Sequence, residues 1–200
     1  MFKLAFGSII AAVAMMISGF IYFAGPVALV GFSSANDAQS AAVQTALASN
    51  LAETGTYVIP NPSTESGTTL YGKGPVATIH YNTQGFSLES ADGMIWGFVL
   101  YLVAAVLMAA ALSQLGRRVP DFRSRAVIVV CFAFACTALN VLTDPIFTHQ
   151  DWTYALFAFV GDVLVLCIGG LIIARWFLPN ALVEVAPSPV VEHPQEPAGI

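Results

Sequence analysis

Asp162 is the residue in this chain whose type and position most clearly invite chemistry, because it stands inside a long apolar run, Trp152–Leu178. It lies ten residues past Trp152, roughly 15 Å along a helix that rises about 1.5 Å per residue. An ionised carboxylate in hydrocarbon costs at least about 2.5–3.5 kcal/mol, so such a residue turns to the inside of a bundle and finds a partner. Counting depth from the same side places Tyr22, Tyr101 and Thr137 in much the same layer. Thr137, Asn140 and Asp144 recur at i, i+3 and i+7, a polar stripe along one helix face. Two readings fit this set. In one, Asp162, Thr137, Asn140, Tyr22 and Tyr101 form a polar pocket or proton relay. In the other, a carboxylic acid held neutral by burial bonds to a Tyr or Thr hydroxyl and joins helices together.

A weaker constellation is Asp144, His149 and Asp151, with His80 and Asp92 as possible neighbours. Imidazole and carboxylate together suit a transition metal. The spacing matches no metal motif, however, and acidic residues on a solvated loop need no ligand to explain them, so no metal is expected. His193 lies in a polar tail. All three histidines fall outside the apolar runs, so the chain offers no intramembrane axial ligand for haem. Phosphate loops, dinucleotide fingerprints, HExxH, nucleophile elbows and CxxC are all absent from the sequence. No catalytic residue and no cofactor are expected.

The elements that must position Asp162 are four apolar stretches, Leu4–Phe32, Met94–Leu115, Ala126–Leu142 and Trp152–Leu178. Each approaches or exceeds the roughly 20 residues needed to cross hydrocarbon. Composition agrees: 57% of residues are hydrophobic and only 10% charged, against about 25% charged in soluble domains. Lys3, Arg117, Arg118, Arg123, Arg125 and Arg175 fall at one side of the four stretches, and only Lys73 falls at the other. Positive charge is retained in the cytoplasm during insertion, so both termini and the middle loop are expected there. A net charge of −5 gives no basic surface for nucleic acid. The first stretch exceeds the roughly 7–15 residues of a signal-peptide core, and a retained helix is expected, kinked or ended near Gly25-Pro26. Cys131, Cys136 and Cys167 lie inside the stretches and read as small buried apolar residues. Trp96, Trp152 and Trp176 sit near helix ends, as interface anchors do.

Residues 33–93 separate the first two spans. Val43, Leu47 and Leu51 give a helical stripe over 37–53, with Ser34 and Asp37 resembling a capping box. Two β-rich runs follow, at about 56–59 and 76–81, with Ser63–Thr69 between them reading as a loop. A helix and a two-stranded ribbon cannot stand alone, so this insert must lean on the bundle or on a partner. Thr143–Asp151 reads as a short loop. From Pro179 onward the chain is Pro-rich and acidic, the composition of a disordered tail.

Gly55-x-Tyr57-x-x-Pro60, Gly74-Pro75 leading to a strand that ends at Tyr81, and the aromatic residues Trp152, Tyr154, Phe157 and Phe159 opening the last span form a loose pattern over residues 1–178. It resembles small bacterial inner-membrane proteins with four helices and a periplasmic insert after the first, a group with no assigned activity. The resemblance implies the layout and no function. The expectation is an all-α, four-span up-down bundle in a bacterial inner membrane with a small periplasmic helix-plus-hairpin insert. The leading expectation for its role is a non-catalytic accessory or assembly subunit that docks a membrane-protein partner through the insert, or forms a homo-oligomer. The alternative is a small proton-linked transporter or membrane enzyme built on Asp162.

Overall fold

The computed structural model describes residues 2–87, 90–115, 118–119 and 121–178. It is mostly helical, with a single two-stranded sheet among the described residues. In chain order the elements are α1 (Phe2–Ala24), α2 (Ala28–Gly31), α3 (Asp37–Asn50), β1 (Gly55–Ile59), α4 (Glu65–Lys73), β2 (Ala77–Tyr81), α5 (Asp92–Leu115), α6 (Phe122–Val141), α7 (Thr143–Phe147) and α8 (Trp152–Ile172), followed by a π-helical turn, Ile173–Phe177. Four helices are long and apolar enough to cross a membrane: Phe2–Ala24, Asp92–Leu115, Phe122–Phe147 and Trp152–Phe177. Their outward faces carry exposed Phe20, Leu107, Phe132 and Leu139. An apolar surface of that extent suits lipid rather than water.

Gly25-Pro26 ends α1 as its sequence foretells, because proline lacks the amide hydrogen and its ring collides with the preceding turn. A β-carbon at Gly25 would strike the Ile21 carbonyl oxygen. The chain then resumes as the single turn α2.

Packing is set by small residues. The face of α1 formed by Gly7, Ser8, Ala11, Ala12, Met15 and Gly19 is buried against α5 and α8. On α8, Gly161, Gly169 and Gly170 are buried and let α1 and α6 approach closely. Early α1 meets the π-helical turn after α8, as in Gly7 against Phe177, whereas late α1 meets early α8, as in Tyr22 against Gly161. Val129 of α6 fits over Gly170. The order across the bundle is therefore α5, α1, α8, α6. Although α5 and α6 are consecutive spans, they form no substantial interface among the described residues. This opening between them creates the site described below.

Between α2 and α5, two expectations are corrected. The cap of α3 is Asn36 with Gln39, each side chain bonding the other's backbone amide (2.9 and 3.0 Å), not Ser34 with Asp37. Asparagine directly before the first turn outcompetes a serine two residues earlier. The stretch Ser63–Thr69 is not wholly a loop, because α4 begins at Glu65. Thr64 caps it by accepting the Gly67 amide at 3.1 Å, Glu65 and Lys73 occupy its first and last turns, and Gly74 at φ 67° terminates it. Gly67 has no room for a side chain, since a β-carbon would strike the Asn61 carbonyl oxygen. The strands pair antiparallel from Gly55 opposite Tyr81 to Ile59 opposite Ala77. Thr56 Oγ1 and His80 Nδ1 bond directly across the pair at 3.0 Å. The segment expected as the loop Thr143–Asp151 likewise contains α7.

Candidate functional site

A cavity of about 370 Å³ lies in the gap between α5 and α6. Leu100, Tyr101 and Ala104 form one wall, Cys136, Thr137 and Asn140 the other; Asp162, Val165 and Leu166 of α8, with Met15 of α1, make the floor. Asp162, Thr137, Asn140 and Tyr101 are thus brought together as their depths suggest. Thr137 is only 4% exposed. Some helical serines and threonines return their hydroxyls to a carbonyl of the preceding turn, as Thr143 and Thr148 do. The Thr137 hydroxyl makes no such bond among the described residues, and neither does the Asp162 carboxyl bond to the other polar groups of the cavity. Four polar side chains from three helices therefore converge on one space.

Tyr22 does not belong to the cluster. Its hydroxyl donates to the Phe157 carbonyl at 3.0 Å, and its ring stacks on that of Phe157 with centroids 4.9 Å apart. Depth alone fixes height in the bilayer, whereas the small face of α1 fixes its rotation and turns Tyr22 toward early α8. Asp144 also drops out. The polar stripe is interrupted because α6 ends at Val141, and Asp144 lies exposed in α7. Two lining residues with chemical character carried no sequence signal of their own. Cys136 is exposed beside Thr137, and Met15 reaches the floor through the small face of α1. The cysteines are not the buried residues expected: Cys131 and Cys136 are exposed and Cys167 is half-buried. A thiol facing hydrocarbon is as well accommodated as one inside a core.

The weak metal candidates do not assemble. Among the described residues no three His, Cys, Asp or Glu side chains converge on one point. Asp151 caps α8 by accepting the Tyr154 amide at 2.9 Å, and His149, at φ 59°, packs its ring 6.1 Å from that of Tyr71. His80 is engaged by Thr56, and Asp92 lies in the first turn of α5. Apart from Lys73 in α4, the described basic residues gather at one end of the bundle. Phe6, shortly after Lys3, meets Phe177; the Arg175 guanidinium lies 5.5 Å from the centre of the Phe122 ring; and Arg123 adjoins that ring in sequence. Arg125 is fully buried, with Nε donating to the Val119 carbonyl at 2.7 Å. Arg118 is exposed, and Arg117 lies outside the described residues, as does the tail from Pro179.

No protein-family model, curated protein or solved structure matches this chain.

Proposed function

We propose that this chain is a non-catalytic four-span subunit of a bacterial inner membrane that docks a larger membrane complex through residues 33–93. The observation that carries this reading is exposure. No residue of α3 is buried, and Val43, Leu70 and Phe86 stand 58%, 52% and 76% exposed. Two short helices and a two-stranded ribbon are too small to be self-sufficient, and this insert makes little contact with the four long helices. Within the proposal the helices alternate in direction, the insert is periplasmic and both termini are cytoplasmic. The antiparallel pairings of α1 with α8 and the gathering of basic residues at one end support that orientation.

The test is extraction in mild detergent, native mass determination and identification of stoichiometric companions. A companion lost when residues 37–81 are replaced by a Gly/Ser linker, with the four spans still folded, is the expected result. A lone monomer insensitive to that replacement overturns it. Labelling of Gly85→Cys and Arg123→Cys from opposite sides by an impermeant maleimide, on a cysteine-free background, checks the orientation.

A second reading, a ligand-handling transporter or membrane enzyme, is favoured by one specific feature, the cavity at Asp162. Loss of an activity in a folded Asp162→Asn variant is its expected signature.

A further inference from the structure

We infer that the cavity between α5 and α6 binds an amphiphilic primary amine, with its ammonium head on Asp162, Thr137 and Asn140 and its alkyl chain directed out into the bilayer. This rests on the second reading above and names its ligand class.

The polar groups determine the head. Asp162 supplies a carboxylate, Thr137 a hydroxyl oxygen and Asn140 an amide oxygen, three acceptors around one space. A primary ammonium carries three N–H donors and no acceptor, the complement of that set. Tyr101 adds a fourth oxygen on the facing wall. No Lys, Arg or His is among the lining residues, so the cavity repels an anion and has no internal counter-ion for Asp162. An intramembrane carboxylate is stable only when paired, and the basic residues of this chain stand at helix ends instead. A transition metal is a poorer match, because no three His, Cys, Asp or Glu side chains converge among the described residues.

The remaining lining determines the tail. Met15, Leu100, Ala104, Val165 and Leu166 are apolar. Leu100, 68% exposed, and Cys136, also exposed, stand on opposite walls at the outer surface. The mouth therefore opens sideways, where acyl chains lie, through the gap that α5 and α6 leave between them. The volume of about 370 Å³ is at the small end of the roughly 300–1,000 Å³ range of ligand sites. It holds a head and the first carbons of a chain, not a whole lipid.

The experiment uses the full chain in lipid nanodiscs, with dodecylamine as the probe and dodecanol, dodecyltrimethylammonium and laurate as comparisons. Cys131→Ala and Cys167→Ala leave Cys136 as the sole thiol, so its alkylation by N-ethylmaleimide reports occupancy of the cavity. Dodecylamine is expected to protect Cys136 saturably, and the comparison amphiphiles to do so at least about tenfold more weakly, the equivalent of about 1.4 kcal/mol. Asp162→Asn and Thr137→Val, both close in shape to the native residues, are expected to weaken protection by dodecylamine. Equal protection by dodecanol overturns the amine assignment and leaves a polar ligand pocket standing. Equal protection by dodecyltrimethylammonium removes the donor argument and likewise overturns it. If no amphiphile protects Cys136 while every variant remains folded, the cavity reading itself falls.

Discussion

The hydroxyl oxygen of Tyr101 lies over Gly19, only 2.7 Å from the point that a β-carbon on that glycine would occupy. The glycine thus holds open the place where the phenol enters, and the wall of the cavity depends on a residue that does not line it. Substituting Gly19→Ala is expected to cost about 1–3 kcal/mol, the usual consequence of overpacking. On a Tyr101→Phe background the nearest ring carbon is 3.5 Å away, an ordinary contact. There the same substitution becomes neutral or favourable, since alanine is better than glycine in a helix by about 0.5–1 kcal/mol. Unfolding of the four variants in mixed micelles gives the coupling; strictly additive effects would contradict the contact.

Gly169 and Gly170 are neighbours with unequal tolerance. A β-carbon on Gly169 meets the sulfur end of Met15, a flexible side chain, whereas one on Gly170 meets Val129 Cγ1 at 2.6 Å. Valine is fixed at χ1 and cannot swing aside. Gly170→Ala is therefore expected to lower the thermal midpoint more than Gly169→Ala, and Val129→Ala should restore most of the loss. The reverse ranking would show that α6 and α8 are not in contact as described.

Tyr22 joins α1 to α8 by a hydrogen bond and a stacked ring, both to Phe157. Tyr22→Phe removes only the bond and is expected to cost about 0.6 kcal/mol, the average for such bonds between membrane helices. Tyr22→Ala removes the ring as well and should cost about 3–5 kcal/mol, as large aromatic deletions do. Protection of Cys136 by dodecylamine should survive Tyr22→Phe, because Tyr22 lies outside the cavity. A change there would return Tyr22 to the site.

Asp121 caps α6 at its solvent-facing start, accepting the Ser124 amide at 2.8 Å. That bond favours the charged carboxylate and holds its pKa below the ordinary value. A carboxyl lowered in the folded state contributes stability above its unfolded pKa of about 3.9, and that stability is lost as pH falls through the folded value. The unfolding midpoint of the native chain should therefore drop more steeply below about pH 4 than that of Asp121→Asn. Asparagine still accepts the amide bond but does not titrate. Parallel curves for the two would remove Asp121 as a source of the acid sensitivity.

Much of the architecture could be read from the chain itself. Lengths of apolar sequence give the four spans, Gly25-Pro26 gives the break after α1, and β-branched runs at 56–59 and 76–81 give the two strands, because each depends on local chemistry. The helix over Glu65–Lys73 was equally local, with Thr64, Glu65, Lys73 and Gly74 at its ends. It was obscured by the turn-forming Pro60-Asn61-Pro62 and by glycine and threonine content.

Sequence alone determined the height of Asp162, Tyr101, Thr137 and Asn140 along their helices, since rise per residue is constant. It could not determine which way each helix is rotated or which helices touch. Those are decided by the small faces of α1 and α8, which draw α5, α1, α8 and α6 together in an order that differs from the sequence. The same packing sends Tyr22 to Phe157 and leaves α5 and α6 apart. A cavity exists at Asp162 because two helices adjacent in sequence are not neighbours in space, and only the tertiary fold could establish that.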